Sequence, residues 1–383
     1  MKLAYFTHVW GRPGLSAGQR YARLWRELAA ADRLGFDYAF SVEHHCTPHE
    51  SWMSSPSVFA TGAALHTERI RVGAMGWVPA LRHPLHLVED VVTLDHVLGG
   101  RLDVGLASGV GPEPFLPFGA DFERRHELTW EAAELLRAAC GAEGPFDFEG
   151  PVHTLREVCL SFPALQRPHP PLWIPTTNRG TLRRLAGIGA HTASTMIVPR
   201  PAMAPVYRHY VERWRAAGHT GDPNIGYWSL VHVAETDAEA EARAAAHITH
   251  TFTKVLRYDS VRRSGAAATP ASRLSTADIL AGSGDFRFLM EHNLVFVGSP
   301  ATVADRIRQA AREGHVNTLF GEFDFGCLDE ADRAESVELF ARDVIPELRG
   351  FSPFEPPAAV SGAYTASEEQ QVADRLQALG YLD

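Results

Sequence analysis

The sequence predicts a (β/α)8 TIM barrel, an α/β fold, on three observations. Strand and helix signals alternate about eight times along the chain, which means parallel strands joined by helical crossovers. No G-x-G-x-x-G or G-x-x-x-x-G-K-[ST] follows any strand, which removes the usual reason to prefer a doubly wound sheet. With 383 residues, 45% apolar and 21% charged, the chain can bury one large core.

The elements follow in order. Lys2 to Thr7 reads as the first strand, and Ser16-x-x-Gln19 as a capping box. The helix after it places Tyr21, Leu24, Leu28 and Ala31 on one face, and Gly35 suits its end. A second strand, 36–42, leads to Glu43. A helix around 56–65 precedes a third strand at 70–78. Pro84 opens a helix that buries Leu87, Val88, Val91 and Leu94, and Gly99-Gly100 ends it. The fourth strand is 101–107, with a helix at about 123–137. Strands at 172–176, 192–198 and 225–233 each carry a helical segment after them. Strand 318–323 and helix 330–348 close the series.

Three segments break the rhythm. Residues 141–170 follow the fourth helix, and their aromatic, Pro and Gly content predicts a short β excursion. About 256–293, after the seventh strand and its helix, is long enough to be a lid at the barrel mouth. The domain 1–349 then gives way to a tail, 350–383, whose Pro-rich start reads as a linker. The helix expected from Ser367 to about Leu379 is too short to stand alone, so it docks on its own barrel, on a second subunit or on a partner protein.

Composition excludes several classes. A net charge of −10 argues against a nucleic-acid surface. No apolar run reaches transmembrane length, and the N-terminus lacks a signal-peptide pattern, so no membrane role is expected and the location expected is cytoplasmic. Cys46, Cys140, Cys159 and Cys327 form no C-x-x-C pair, which fits a reduced compartment.

The chemistry concentrates at Glu43-His44-His45, at the end of the second strand, where a barrel keeps its active site. A carboxylate and two imidazoles there can move protons near neutral pH. The bland alternative is a hydrogen-bonded corner. A metal-dependent barrel hydrolase is the rival reading, since His44, His45, Cys46 and His49 lie close in sequence. Adjacent His44 and His45 point apart if both stay extended, which weighs against a shared metal, so none is expected.

Ser41-Val42-Glu43-His44-His45, Val72-Gly73-Ala74-Met75-Gly76, the run from His83 to Asp90 with Leu94-Asp95, Gly99 to Leu106, and Val297-Gly298-Ser299-Pro300-Ala301-Thr302-Val303 resemble the bacterial luciferase family of flavin-dependent monooxygenases. Their order and spacing carry the resemblance from residue 1 to about 348. It implies reduced FMN at the C-terminal ends of the strands and O2 adding to the flavin. A flavin peroxide then oxygenates a small organic substrate, while the protein supplies orientation and proton management. By the same resemblance His44 is the acid/base, Glu43 could fix an imidazole tautomer, and His45 is a supporting histidine. A cis non-proline peptide is implied at Met75-Gly76, with Ala74-Met75 next best, pressed against the flavin.

Phosphate binding departs from the family. Ser108 stands where members often carry an arginine. Thr177, Asn178, Arg179 and Thr181, at the start of the helix after the fifth strand, suit an anion instead. The alternative is an ordinary helix cap. Met196, at the end of the sixth strand, either contacts the flavin ring or fills the core. Ala107 stands where luciferase has a reactive cysteine.

The reading is therefore an FMN-dependent, luciferase-like monooxygenase, a homodimer supplied with reduced FMN by a separate flavin reductase. A deazaflavin-dependent oxidoreductase of the same fold is the alternative, and a non-catalytic flavin-binding protein a third. Phe115, Leu116 and Phe118 suggest an apolar substrate cavity, without naming the substrate.

Overall fold

Parallel strands that alternate with helices roll into a ring. The computed structural model describes residues 1–47, 50–255 and 274–354. The ring strands are β1 (Lys2–Thr7), β2 (Tyr38–Ser41), β3 (Arg71–Ala74) and β4 (Leu102–Gly105). A hairpin of β5 (Phe146–Glu149) and β6 (Thr154–Val158) stands outside the ring, which continues with β7 (Leu172–Trp173), β8 (Thr192–Thr195) and β9 (Ile225–Val233). After β10 (Phe296–Gly298) comes the last ring strand, β11 (Thr318–Glu322). Parallel pairing runs β9-β11-β1-β2-β3-β4-β7, and β8 pairs with β9. The seam between β7 and β8 closes through Ile174 N–H to His191 O at 2.9 Å and His191 N–H to Leu172 O at 2.7 Å. The eight ring strands are those the sequence predicts; β1 and β9 have the predicted bounds, and the other six are shorter at their C-terminal ends, where the chain bends away to form the mouth.

Local chemistry explains the crossovers. Helix α1 (Ala17–Leu34) opens with the expected capping box of Ser16 and Gln19 and stops at Gly35, whose φ of 86° a side chain would resist. Pro56 and Pro84 start α2 (Pro56–Ala64) and α3 (Pro84–Val97), where a missing N–H costs nothing. Helix α4 (Arg125–Gly141) precedes the hairpin, which is the predicted β excursion. The last helix differs from expectation. It runs Glu330–Leu339, widens to a π turn over Phe340–Val344 and resumes at Ile345–Arg349. Pro346 lacks the N–H that a regular ladder would need at that point.

An aromatic layer plugs the ring. Phe40 packs against Trp173 (5.6 Å between ring centres) and Phe320 (5.2 Å), and Phe6 stacks on Phe320 at 5.8 Å. Gly73 and Gly226 leave room for it, since a Cβ at either would collide with the Phe40 or Phe320 ring. Below the layer, Asp103 pairs with Arg71 at 2.5 Å and accepts from Trp173 Nε1 at 2.8 Å. Above it the strands end in polar residues. Two-residue alternation puts Glu322 on the same side of its strand as Phe320, one step toward the mouth.

Of the expected lid, 274–293 holds two short helices, Thr276–Gly282 and Phe286–Glu291. Residues 256–273, the tail helix expected within 355–383, and His49 lie outside the described residues. Among the described residues no helix is long and apolar enough to cross a membrane.

Burial of histidine sets the acid stability. His232 on β9 is fully buried, and neither ring nitrogen has a hydrogen-bond partner among the described residues. Burial, with a smaller push from Arg243, lowers it from 6.5 to about 4. Below its ordinary value the unfolded chain takes up a proton that the folded chain refuses until about pH 4. Stability therefore falls as pH drops through that window, by up to ~3 kcal/mol from this residue. Denaturant unfolding of His232→Met between pH 7.5 and 4.5 is expected to show a flatter pH slope than the natural chain. Equal slopes would remove His232 from the account.

Candidate active site

The C-terminal ends of β1, β2 and β11 meet at the mouth through loops that the sequence folds back on themselves. The chain after β1 pairs with the chain after β2. Trp52 N–H bonds Val9 O at 3.0 Å, Trp10 and Ser51 form an antiparallel bridge, and Ser51 Oγ donates to His8 O at 2.5 Å. Val9 sits at φ 54°, which a β-branched residue adopts only when its surroundings impose it. This doubling-back carries Glu50 over the ring.

His44 and His45 diverge, as adjacent residues on an extended chain do. His45 Nε2 lies 2.8 Å from Glu43 Oε1, and its ring meets Phe118 edge-on at 4.8 Å. Glu43 is buried, takes Arg82 at 2.5 Å on the same oxygen and accepts from Val78 N–H at 3.2 Å. The carboxylate expected to orient an imidazole thus orients His45, not His44. His44 turns the other way. Its Nδ1 is buried 3.2 Å from Glu50 Oε1, close enough for attraction but off-line for a hydrogen bond. Burial raises the Glu50 carboxyl, but contact with His44 and the nearness of His8 outweigh it and leave it below its ordinary value.

His8 completes the group. Its Nδ1 is 2.8 Å from Glu322 Oε2, its backbone N–H donates to Glu322 Oε1 at 2.8 Å, and Trp228 Nε1 donates to the same carboxylate at 2.9 Å. The His8 ring stacks on Trp10 at 4.3 Å and meets the His44 ring at 5.5 Å. One ring nitrogen each from His8 and His44 and one oxygen of Glu50 lie within 4.8 Å of one another. Sequence reasoning missed His8, Glu50 and Glu322. His8 follows the first predicted strand directly and Glu322 is an acid inside the last, so the rule that singled out residue 44 applied to both. Of the rival metal set, His45 is turned to Glu43 and His49 lies outside the described residues; His44 instead groups with His8 and Glu50.

The wall beside this group is backbone. The Met75–Gly76 peptide is cis, where the resemblance placed it. A Cβ at Gly76 would strike the Gly105 carbonyl, and one at Gly105 the Ala74 carbonyl, so both positions need glycine. Met75 is half-buried. Ala74 and Met196 are wholly buried, so for these two a flavin contact rests on the resemblance alone. Ser108 is half-buried after β4.

Helix α5 (Arg179–Ile188) starts at the mouth with Asn178 as its cap, Oδ1 accepting from Thr181 N–H at 2.9 Å and from the Thr181 hydroxyl at 3.2 Å. The cap uses groups that the phosphate expectation had assigned to a ligand. Thr177, Asn178, Arg179 and Gly180 remain exposed at the positive end of the helix.

Comparison with known proteins agrees with this architecture. The family model described as luciferase-like monooxygenase matches residues 1–318. A Sinorhizobium fredii protein, y4wF, is 35% identical over 195 residues, which span 50% of this chain and 56% of that one. The 4-hydroxyprotoasukamycin monooxygenase of Streptomyces nodosus subsp. asukaensis is 28% identical over 88% of each chain. The FMNH(2)-dependent dimethylsulfone monooxygenase of Pseudomonas putida is 27% identical over 85% of this chain and 87% of that one. Among solved structures, the oxygenating constituent of the P. putida 3,6-diketocamphane monooxygenase, in complex with FMN, superposes with a TM-score of 0.75 at 22% identity, covering 91% and 98% of the two chains. An F420-dependent secondary alcohol dehydrogenase does so with 0.66 at 14% identity, covering 91% and 99%.

Proposed function

Because the chain belongs to the luciferase-like monooxygenase family, we propose that it binds reduced FMN in the mouth and uses O2 to oxygenate a small organic substrate there. The observation that carries this reading is the meeting of His8, His44 and Glu50 at the C-terminal end of the ring. A flavin supplies the oxygen chemistry when bound; the chain supplies the rest. His44, with a buried Nδ1 open to a partner, gives or takes the proton. Glu43, His45 and Arg82 hold the rim beside it. The cis peptide at Met75-Gly76, with no side chain on Gly76 and with Ala74 before it, offers a face for the flavin ring. The residues fit the cofactor's anionic end as well. Thr177 and Arg179 are exposed at the first turn of α5, where an anion is favoured, and Ser108 offers a hydroxyl after β4.

Fluorescence titration tests the cofactor. FMN should bind more tightly than riboflavin, and Arg179→Ala should weaken FMN by about tenfold while leaving riboflavin unchanged. Equal weakening of both would argue against a phosphate role. Oxygen uptake by the reduced complex should rise with an accepted carbonyl or organosulfur substrate. A second reading, a deazaflavin oxidoreductase, is favoured by Ser108 in place of arginine; hydride transfer to a deazaflavin without oxygen uptake would establish it. The reading also includes a separate reductase and a homodimer. Fast direct oxidation of NADH by the purified chain would contradict the first, and a monomer in sedimentation the second.

A further inference from the structure

Glu322 has no part in the reading so far, yet with His8 it forms an enclosed ionisable pair at the mouth. Glu322 is fully buried and receives three N–H groups: the His8 backbone, the His8 ring and Trp228 Nε1. A carboxylate so held orients an imidazole and fixes which nitrogen carries the proton. Nδ1 is held by Glu322, so the second His8 nitrogen remains for another partner, and one His8 ring nitrogen lies in the group with His44 and Glu50.

The spacing of these three admits a single bridging group. Zinc–nitrogen bonds of about 2.0–2.1 Å bring ligand atoms within roughly 3.4 Å of each other. A water making two hydrogen bonds of about 2.8 Å spans roughly 4.6 Å. The three atoms here lie within 4.8 Å of one another, with His44 Nδ1 and Glu50 Oε1 at 3.2 Å; the set includes an imidazole nitrogen without a hydrogen-bond partner and offers the two to four polar partners that an enclosed water requires.

We propose that His8, His44 and Glu50 hold one water among them, and that Glu322–His8–water–His44 is the proton relay of the mouth. The relay starts from a doubly protonated His8 whose Nδ1–H stays on Glu322. Its other nitrogen gives a proton to the water as the water gives one to His44 Nδ1, which leaves His8 neutral, the water unchanged and His44 protonated. Proton flow in the opposite direction uses the same atoms. No bond other than N–H and O–H changes, and no further reagent is needed. His8 and Glu322 are positioning and relay residues; His44 is the group facing the substrate. The charged and titratable groups facing His8 are Glu322 from β11, and His44 and Glu50 from the chain after β2; Trp10 and Trp228 supply uncharged walls.

The relay rests on the flavin reading only for its use in turnover, so the test has two arms. In the full-length chain without flavin, 15N histidine spectra should show the titration curve of His44 displaced by about half a pH unit or more in both Glu322→Gln and His8→Gln. In the loaded enzyme, Glu322→Gln should displace the pH profile of product formation while the FMN Kd stays within about twofold; Glu322→Asp should restore part of it. A merely structural role would lower the folded yield without moving either curve. Identical His44 curves in all three chains overturn the relay whatever the cofactor. One equivalent of metal by elemental analysis, lost in His8→Gln, would overturn the water. Displaced His44 curves in a chain that binds no flavin would uphold the relay and count against the flavin reading alone.

Discussion

Replacing His44 by alanine is expected to lower product formation by ~10²-fold or more while flavin binding persists. The expectation rests on where the ring sits. His44 carries a buried Nδ1 beside Glu50 and turns toward His8, whereas His45 is occupied by Glu43 and Phe118. His44 is thus the ring that faces the group formed with His8 and Glu50. No backbone contact of the Met75–Gly76 wall or of the α5 N-terminus depends on the His44 side chain, so binding should survive its loss. His45→Ala should act differently. It removes one partner of Glu43 but leaves Arg82 and the Val78 N–H in place, so its cost in turnover should be smaller than that of His44→Ala. Single-turnover assays with reduced flavin separate the two, because they read the chemical steps without cofactor delivery. Unchanged turnover in His44→Ala would remove it from the mechanism.

The comparison of the two histidines also shows how far the sequence could be read. Strand ends are local events, so the eight ring strands, the Ser16 capping box and the Gly35 stop were all visible in order. Which nitrogen meets which carboxylate is not local. Glu43 finds Arg82 at a sequence separation of 39 residues, and His8 finds Glu322 at 314. The first needs β2 beside β3, and the second exists only once the ring closes and brings β1 beside β11. Periodicity identifies polar residues at strand ends but cannot pair them. The α5 start shows the opposite limit. Asn178 could be read as a cap, but that the cap would also use the Thr181 hydroxyl needed the rotamer. Met196 is a third case. The sequence left it as either a ring contact or a core filler, and it is wholly buried within the hydrophobic core after β8.

Beside the mouth, Asp324→Asn is expected to cost about 3–5 kcal/mol, the largest loss of stability from any single polar change proposed for this chain. Asp324 is fully buried two residues past Glu322 and pairs with Arg12 and, at 2.8 Å, with Arg20; Arg23 lies 3.8 Å away. Glu27 bonds Arg23 at 2.9 Å and reaches Arg20 and Arg333 at 3.4 and 3.3 Å. Four arginines from the chain after β1, from α1 and from helix Glu330–Leu339 thus share two buried carboxylates. Removing one strands at least two guanidinium groups away from water, and that uncompensated charge, not the lost pair itself, sets the magnitude. Burial raises the Asp324 carboxyl, but Arg20, Arg12, Arg333 and Arg23 together hold it below its ordinary 3.8. A carboxylate depressed in the folded state stabilises above its unfolded value and loses that contribution as pH falls through the folded one. The gap between natural chain and Asp324→Asn should therefore be full at pH 7 and shrink below pH 3.8. Urea unfolding across that range measures it, and a gap under about 1 kcal/mol at pH 7 would show that the arginines find other partners. Because Arg12 also donates to Leu328 O at 2.7 Å and Arg20 to Trp10 O at 3.3 Å, the same substitution loosens the loops that hold His8 against Glu322. Activity should then fall by more than the unfolded fraction accounts for.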